Sequence, residues 1–163
     1  MLESECSINF KNMPGTFSQI YIQYVFAVKG REYLIHSDIE EEVYQYISGI
    51  VKFKNQKSLA VNGMPDHIHI LVGLKPSMNI ADLVRDIKNN STNFINSKKY
   101  FPGKFAWQEG YGAFSYSASN FGVVVDYIKN QKQHHLTKTF REEYLSFLRN
   151  FKVEFDEKYL FDF

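Results

Sequence analysis

Residues 17–28, FSQIYIQYVFAV, carry Ile20, Ile22, Tyr24, Phe26 and Val28 at every second position, the pattern of a β-strand buried on one face. Ser37 or Asp38 can cap a helix that follows. Its first turn holds Glu40, Glu41 and Glu42, which suit the positive end of the helix dipole. Ile39, Val43, Tyr46, Ile47 and Ile50 form its apolar stripe, to about Phe53. Residues 58–63 and 67–74 read as two strands joined by Met64-Pro65-Asp66. Pro76-Ser77-Met78-Asn79 ends the second and supplies an N-cap, after which Ile80, Leu83, Val84, Ile87, Phe94 and Ile95 follow helical spacing.

Tyr100-Phe101-Pro102-Gly103 stops that helix, and a fourth strand is expected within 105–116, around Phe105-Ala106-Trp107. The glycines of Gly110-Tyr111-Gly112 permit a hinge after it. A third helix is expected from about Ser119 to Gln133, with Phe121, Val124, Val125 and Ile128 inward. A fourth starts at the capping box Thr139-Phe140-Arg141-Glu142, and the tail 153–163 should pack loosely or pair with a neighbour. Strand, helix, strand, strand, helix, strand is the order of an α+β, ferredoxin-like split βαβ sandwich: an antiparallel sheet with two helices on one face and the other face open. We expect one domain over 1–163, its core at about 17–135, with a C-terminal helix and tail over 139–163.

Composition narrows the class. An apolar content of 44% suits a packed core, and the single cysteine, Cys6, provides neither a disulfide framework nor a cysteine-based zinc site. No apolar run approaches a spanning helix and the N-terminus begins with acids, so a cytoplasmic protein is expected. The net charge is only +1, yet residues 43–138 hold twelve Lys/Arg against five Asp/Glu. That basic middle suits phosphates, although an ordinary solvated surface reads the same way. No phosphate-binding Gly-x-x-x-x-Gly-Lys-Ser/Thr loop occurs, so no nucleotide cofactor is expected.

Alternation in the strand 67–74 sends Ile68, Ile70, Val72 and Leu74 to one face and His67 and His69 to the other. Two neighbouring imidazoles on an uncovered face can ligate a metal, or can be ordinary hydrogen-bonded histidines. On the third helix Tyr127 and Gln131 lie one turn apart beside the apolar stripe, where the carboxamide oxygen could be a third ligand. Tyr127 alone also reads as a boundary tyrosine, one of eleven. Arg85 and Lys88 on the second helix, with Lys129 and Lys132 on the third, could form a DNA-binding basic surface, or plain solvated helix faces.

Met64-Pro65-Asp66-His67-Ile68-His69-Ile70-Leu71-Val72, Asp82-Leu83-Val84-Arg85-Asp86-Ile87-Lys88, Trp107-Gln108-Glu109-Gly110-Tyr111 and Asp126-Tyr127-Ile128-Lys129-Asn130-Gln131 occur in this order. Over about residues 17–135 the sequence resembles the single-tyrosine HUH transposases, the TnpA-like enzymes of small insertion sequences, related to the repeat-associated tyrosine transposases. The resemblance implies a tyrosine helix over the second sheet face, Tyr127 as nucleophile, and a divalent ion, Mg²⁺ or Mn²⁺, on His67, His69 and Gln131. It further implies cutting and rejoining of single-stranded DNA with hairpin ends through a 5′-phosphotyrosine, by a homodimer in which tyrosine helices can be exchanged. A domesticated HUH endonuclease or replication-initiator-like nickase would share the chemistry. A non-catalytic single-strand binder would need neither the histidines nor Gln131. His134 and His135 have no assigned role.

Overall fold

A computed structural model describes residues 16–160, so Cys6 and the last three residues lie outside it. Four strands, β1 (Tyr21–Ala27), β2 (Lys57–Met64), β3 (His67–Gly73) and β4 (Gly112–Tyr116), form one sheet in the order β2-β3-β1-β4. Every neighbouring pair is antiparallel. Helices α1 (Glu40–Phe53) and α2 (Ile80–Lys98) supply the two crossovers, giving the α+β split βαβ arrangement. No helix among the described residues is long and apolar enough to cross a membrane.

The first core is the one the alternation implies. Ile22, Tyr24, Phe26 and Val28 from the β1 segment and Ile68, Ile70 and Val72 from β3 pack with Val43, Ile47, Val51, Leu83, Val84 and Ile87. The Asn79 side chain caps α2 as expected, accepting from the amides of Ala81 and Asp82 at 2.9 and 3.1 Å. The start of α1 differs. Ile39 occupies the N-cap without a side-chain bond, because a turn brings the His36 carbonyl to the amides of Ile39 and Glu40 and leaves Ser37 and Asp38 no capping role.

The fourth strand also lies later than expected. Phe105 and Trp107 enter the first core, but Trp107 makes only a single bridge to Val28. Pairing is interrupted where the Gln108 side chain, rather than backbone, accepts the Ala27 amide at 3.0 Å. The Lys88 ammonium then gathers the carbonyls of Gln108, Glu109 and Gly110 at 2.9, 3.0 and 2.6 Å, turning the chain so that pairing resumes at Gly112.

The second sheet face carries the tyrosine helix, as the resemblance implies, and is closed further by a later helix where the alternation alone left it open. A 3₁₀ turn (Ala118–Asn120) leads into α3 (Phe121–Lys129), whose Val124 and Ile128 pack on Leu71. A short α4 (Gln131–His134) follows, then α5 (Phe140–Asn150), whose Phe140, Tyr144 and Leu148 pack on Val25, Ala27 and Phe114. Strand β1 is therefore buried on both faces, not one. The described part of the tail, including α6 (Glu157–Leu160), adds Phe155 and Leu160 to the edge of this second core.

Candidate metal and tyrosine site

His67 and His69 leave β3 on the second face, and its cover leaves them only 1% and 0% exposed instead of open to solvent. The hairpin preceding them is tight. A Cβ at Gly63 would meet the His67 carbonyl oxygen at 2.2 Å, so only glycine allows β2 to approach β3 there.

Each imidazole is oriented by its Nδ1. His67 Nδ1 lies 2.7 Å from Asp66 Oδ1, and His69 Nδ1 lies 2.8 Å from the carboxamide of Gln23, which in turn accepts from the Tyr116 hydroxyl at 2.6 Å. A third imidazole, His135, donates Nδ1–H to the Lys138 carbonyl at 2.7 Å. The Nε2 atoms of all three point to one place, where the Glu143 carboxylate from α5 also arrives. His69 Nε2 is 2.8 Å and His67 Nε2 3.6 Å from Glu143 Oε1; His135 Nε2 is 3.2 Å from Oε2 and 3.1 Å from His67 Nε2.

Tyr127 and Gln131 reach the same point. The Tyr127 hydroxyl donates to Glu143 Oε2, with His134 Nε2 at 3.2 Å. Gln131 is fully buried, with its Oε1 3.0 Å from His135 Nε2. The helix expected to run unbroken through this pair is interrupted at Asn130. Its i to i−4 bonds nevertheless persist on either side, and the Asn62 side chain takes the freed carbonyls of Ile128 and Lys129 at 2.9 and 3.1 Å. Tyr127 and Gln131 thus keep nearly the one-turn relation of a continuous helix.

The electrostatics follow from burial and neighbours. Burial alone would raise the Glu143 carboxyl, but the histidines and Tyr127 donating to it hold it well below the usual carboxylate range. Burial, and then the Glu143 charge, push the Tyr127 phenol far above an ordinary tyrosine, so it rests protonated. Burial draws His67 down, outweighing the Asp66 hydrogen bond. Burial also opposes protonation of His135, but Glu143 and the Lys138 carbonyl raise it.

The donors fit a small divalent ion. Four ligand atoms, from His67, His69, His135 and Glu143, all lie within 4.8 Å of one another. Bonds of about 2.1 Å place neighbouring ligands roughly 3.0–3.4 Å apart. Four of the contacts, at 2.8–3.6 Å, bracket that range, while the set as a whole spreads to within 4.8 Å and would have to close slightly around an ion.

Sequence reasoning did not assign His135 or Glu143. A signal for Glu143 existed: it falls three residues after Phe140 and four before Phe147, a carboxylate within the apolar face of α5. The four expected DNA-binding cations do not share a surface. Arg85 and Lys88 lie on α2, over the first sheet face. Arg85 is paired with Asp82 and Asp86 at 2.8 and 3.4 Å, and Lys88 is engaged as above. Lys129 is exposed on α3, while Lys132 bonds Glu40 and the Gly63 carbonyl, both at 2.8 Å.

The family model described as "Transposase IS200 like" matches residues 16–131. The ISDra2 transposase TnpA of Deinococcus radiodurans is 21% identical over 129 residues, covering 76% of this chain and 92% of that protein. The transposase for insertion sequence element IS200 of Salmonella typhimurium is 26% identical over 112 residues, covering 66% of this chain and 73% of that protein. Among solved structures, a REP-associated tyrosine transposase bound to a REP hairpin superposes with a TM-score of 0.57 at 14% identity, covering 76% of this chain and 73% of that one. That likeness supports the fold, and with the family match over most of the chain it leads to one conclusion: this protein belongs to the IS200-like transposases, a family of DNA-cutting enzymes.

Proposed function

We propose that the chain cuts and rejoins single-stranded DNA at insertion-sequence ends through a covalent bond to Tyr127. The observation that carries this is that Glu143 joins the Tyr127 hydroxyl to His69 and His135 joins the Gln131 carboxamide to His67, bringing all four residues around one buried cluster. In the step proposed, Tyr127 Oη bonds to the scissile phosphorus and the bond to the 3′ oxygen breaks. The products are a 5′-phosphotyrosine and a free 3′-OH, and the phosphodiester energy is kept for rejoining. The phenol proton passes to an acceptor already bonded to it, the Glu143 carboxylate or His134 Nε2, and the leaving 3′ oxygen takes its proton from solvent.

His67, His69 and Gln131 would hold a divalent ion, Mg²⁺ or Mn²⁺, which when bound supplies Lewis acidity to a non-bridging phosphate oxygen. Asp66 and Gln23 keep the two rings aimed. Lys129, exposed on α3, and Lys132, held by Glu40 and the Gly63 carbonyl, belong to the second layer with Tyr127 and are proposed to meet the incoming strand ahead of Arg85 and Lys88 on the far layer. A hairpin-ended substrate is supported by the structural relative bound to a REP hairpin. A homodimer belongs to the same proposal. Exchange of tyrosine helices between protomers is one form that dimer could take.

The test is a hairpin-ended single strand incubated with the protein and Mn²⁺, followed by denaturing electrophoresis and peptide mapping. A covalent adduct mapped to Tyr127, absent in Tyr127→Phe and His67→Ala, is expected. An adduct on another tyrosine, or 5′-phosphate products with no adduct, would refute the assignment.

A further inference from the structure

His135 and Glu143 lie beyond residue 131, where the family match ends, yet they meet the His pair inside the described site. We propose that both are metal ligands, completing with His67 and His69 a three-imidazole, one-carboxylate centre that takes Mn²⁺, Fe²⁺, Co²⁺ or Zn²⁺ in preference to Mg²⁺. This rests on the reading that the His pair holds a divalent ion.

Convergence is the first ground. Four donor atoms from β3, the turn after α4 and α5 lie within 4.8 Å of one another, and contacts of 2.8–3.2 Å link them through the two oxygens of Glu143 and the His67–His135 pair. The second is the outer contacts. His67 and His135 have Nδ1 committed to Asp66 and to the Lys138 carbonyl, leaving Nε2 for the centre, the pattern by which proteins orient metal-bound histidine. At His69 the Gln23 amide nitrogen faces Nδ1 while its oxygen accepts from Tyr116, so metal binding through Nε2 would require that amide to turn over, with the Tyr116 hydroxyl then accepting from it. Charge is the third ground. Asp66 and Glu143 bring two carboxylates to a water-poor site, 8% and 1% exposed, where a dication balances them.

Ligand chemistry then selects the ion. Mg²⁺ favours oxygen donors and keeps several waters, which a buried, imidazole-rich cradle does not provide. First-row transition ions accept imidazole nitrogen readily. Gln131 stays within reach as a further oxygen donor, 3.0 Å from His135 Nε2. Metal binding is thereby tied to the docking of α5, so the C-terminal segment is part of the active site.

The experiment needs no DNA. Full-length, chelator-stripped protein is titrated with Mn²⁺ by calorimetry, with Mg²⁺ as competitor, and pulsed EPR of the bound Mn²⁺ counts directly coordinated imidazole nitrogens. One ion per chain, three imidazoles, and no displacement by excess Mg²⁺ are expected. Glu143→Gln and His135→Asn should each weaken binding on the order of ten-fold or more. Two imidazoles and unchanged affinity in both variants would overturn the proposal. If His67→Asn and Gln131→Ala then still abolish binding, the His–His–Gln reading stands without it. Displacement by equimolar Mg²⁺ would overturn the selectivity, and absence of Mn²⁺ binding to the wild type would overturn both readings. The EPR count is made on wild-type protein, so it holds even where a variant fails to fold.

Discussion

At the scale of single residues, one carboxylate links most of the site. Glu143 accepts from Tyr127 and lies against four histidines, His67, His69, His134 and His135, so burial and the very group that positions the phenol together hold it neutral. Tyr127→Phe should therefore lose the covalent adduct completely while changing stability by only about 1 kcal/mol, since Glu143 keeps its other donors. Chemical denaturation beside the adduct assay checks both halves. Lys88 makes the opposite case, a cation whose position is structural. Lys88→Met should destabilise by about 1–3 kcal/mol, because three carbonyls lose their donor. Burial lowers the Lys88 ammonium to about 8 from its ordinary 10.5, so between those values the unfolded chain binds more protons than the folded one. Wild-type stability should then rise with pH through that window relative to Lys88→Met; parallel pH profiles of the two proteins would refute this. Strand alternation and helical spacing, which are local rules, could set His67 beside His69 and Tyr127 beside Gln131, but only the family resemblance gave these residues roles. Glu143 reaches the histidines across 74 residues of sequence, a contact that no local period encodes.

Elements carry their own constraints. The β2–β3 hairpin sets the position of His67 through a backbone approach that only Gly63 allows. Gly63→Ala should cost about 2–3 kcal/mol, because the atom it meets is backbone and cannot rotate away. Thermal melts should show that loss, and one below 0.5 kcal/mol would mean the hairpin relaxes more easily than its geometry implies. Helix α5 opens with a complete capping box, Thr139 to the Glu142 amide and the Glu142 side chain back to Thr139. It was readable because it is written within four residues. The position of β4 was not, since it depends on Gln108 and Lys88 ending the pairing after Trp107, a contest between distant side chains and the backbone. The place of α5 on the second face was unreadable for a related reason. The stripe of α5 says that it packs, but not on which surface.

For the whole molecule, closure of that face joins two cores through one sheet. Val25 and Ala27 of β1 pack on α5, while Ile22, Tyr24 and Phe26 of the same strand pack on the opposite layer. A strand buried on both sides leaves no water-filled boundary along which α5 could detach, so damage on one face should be felt on the other. Leu148 tests this, being 5% exposed, apolar and part of the second core, without contributing a donor to the metal cluster. Leu148→Ala should cost about 2–5 kcal/mol as a core truncation. The sole tryptophan, Trp107, lies in the first core and reports from the far side of the sheet. If the cores unfold together, urea transitions followed by Trp107 fluorescence and by far-ultraviolet circular dichroism should coincide in wild type and in Leu148→Ala, both shifted to a lower midpoint by the substitution. If Leu148→Ala instead moves the dichroism transition and leaves the Trp107 transition where it was, α5 is a separable lid and the two cores are not one cooperative unit.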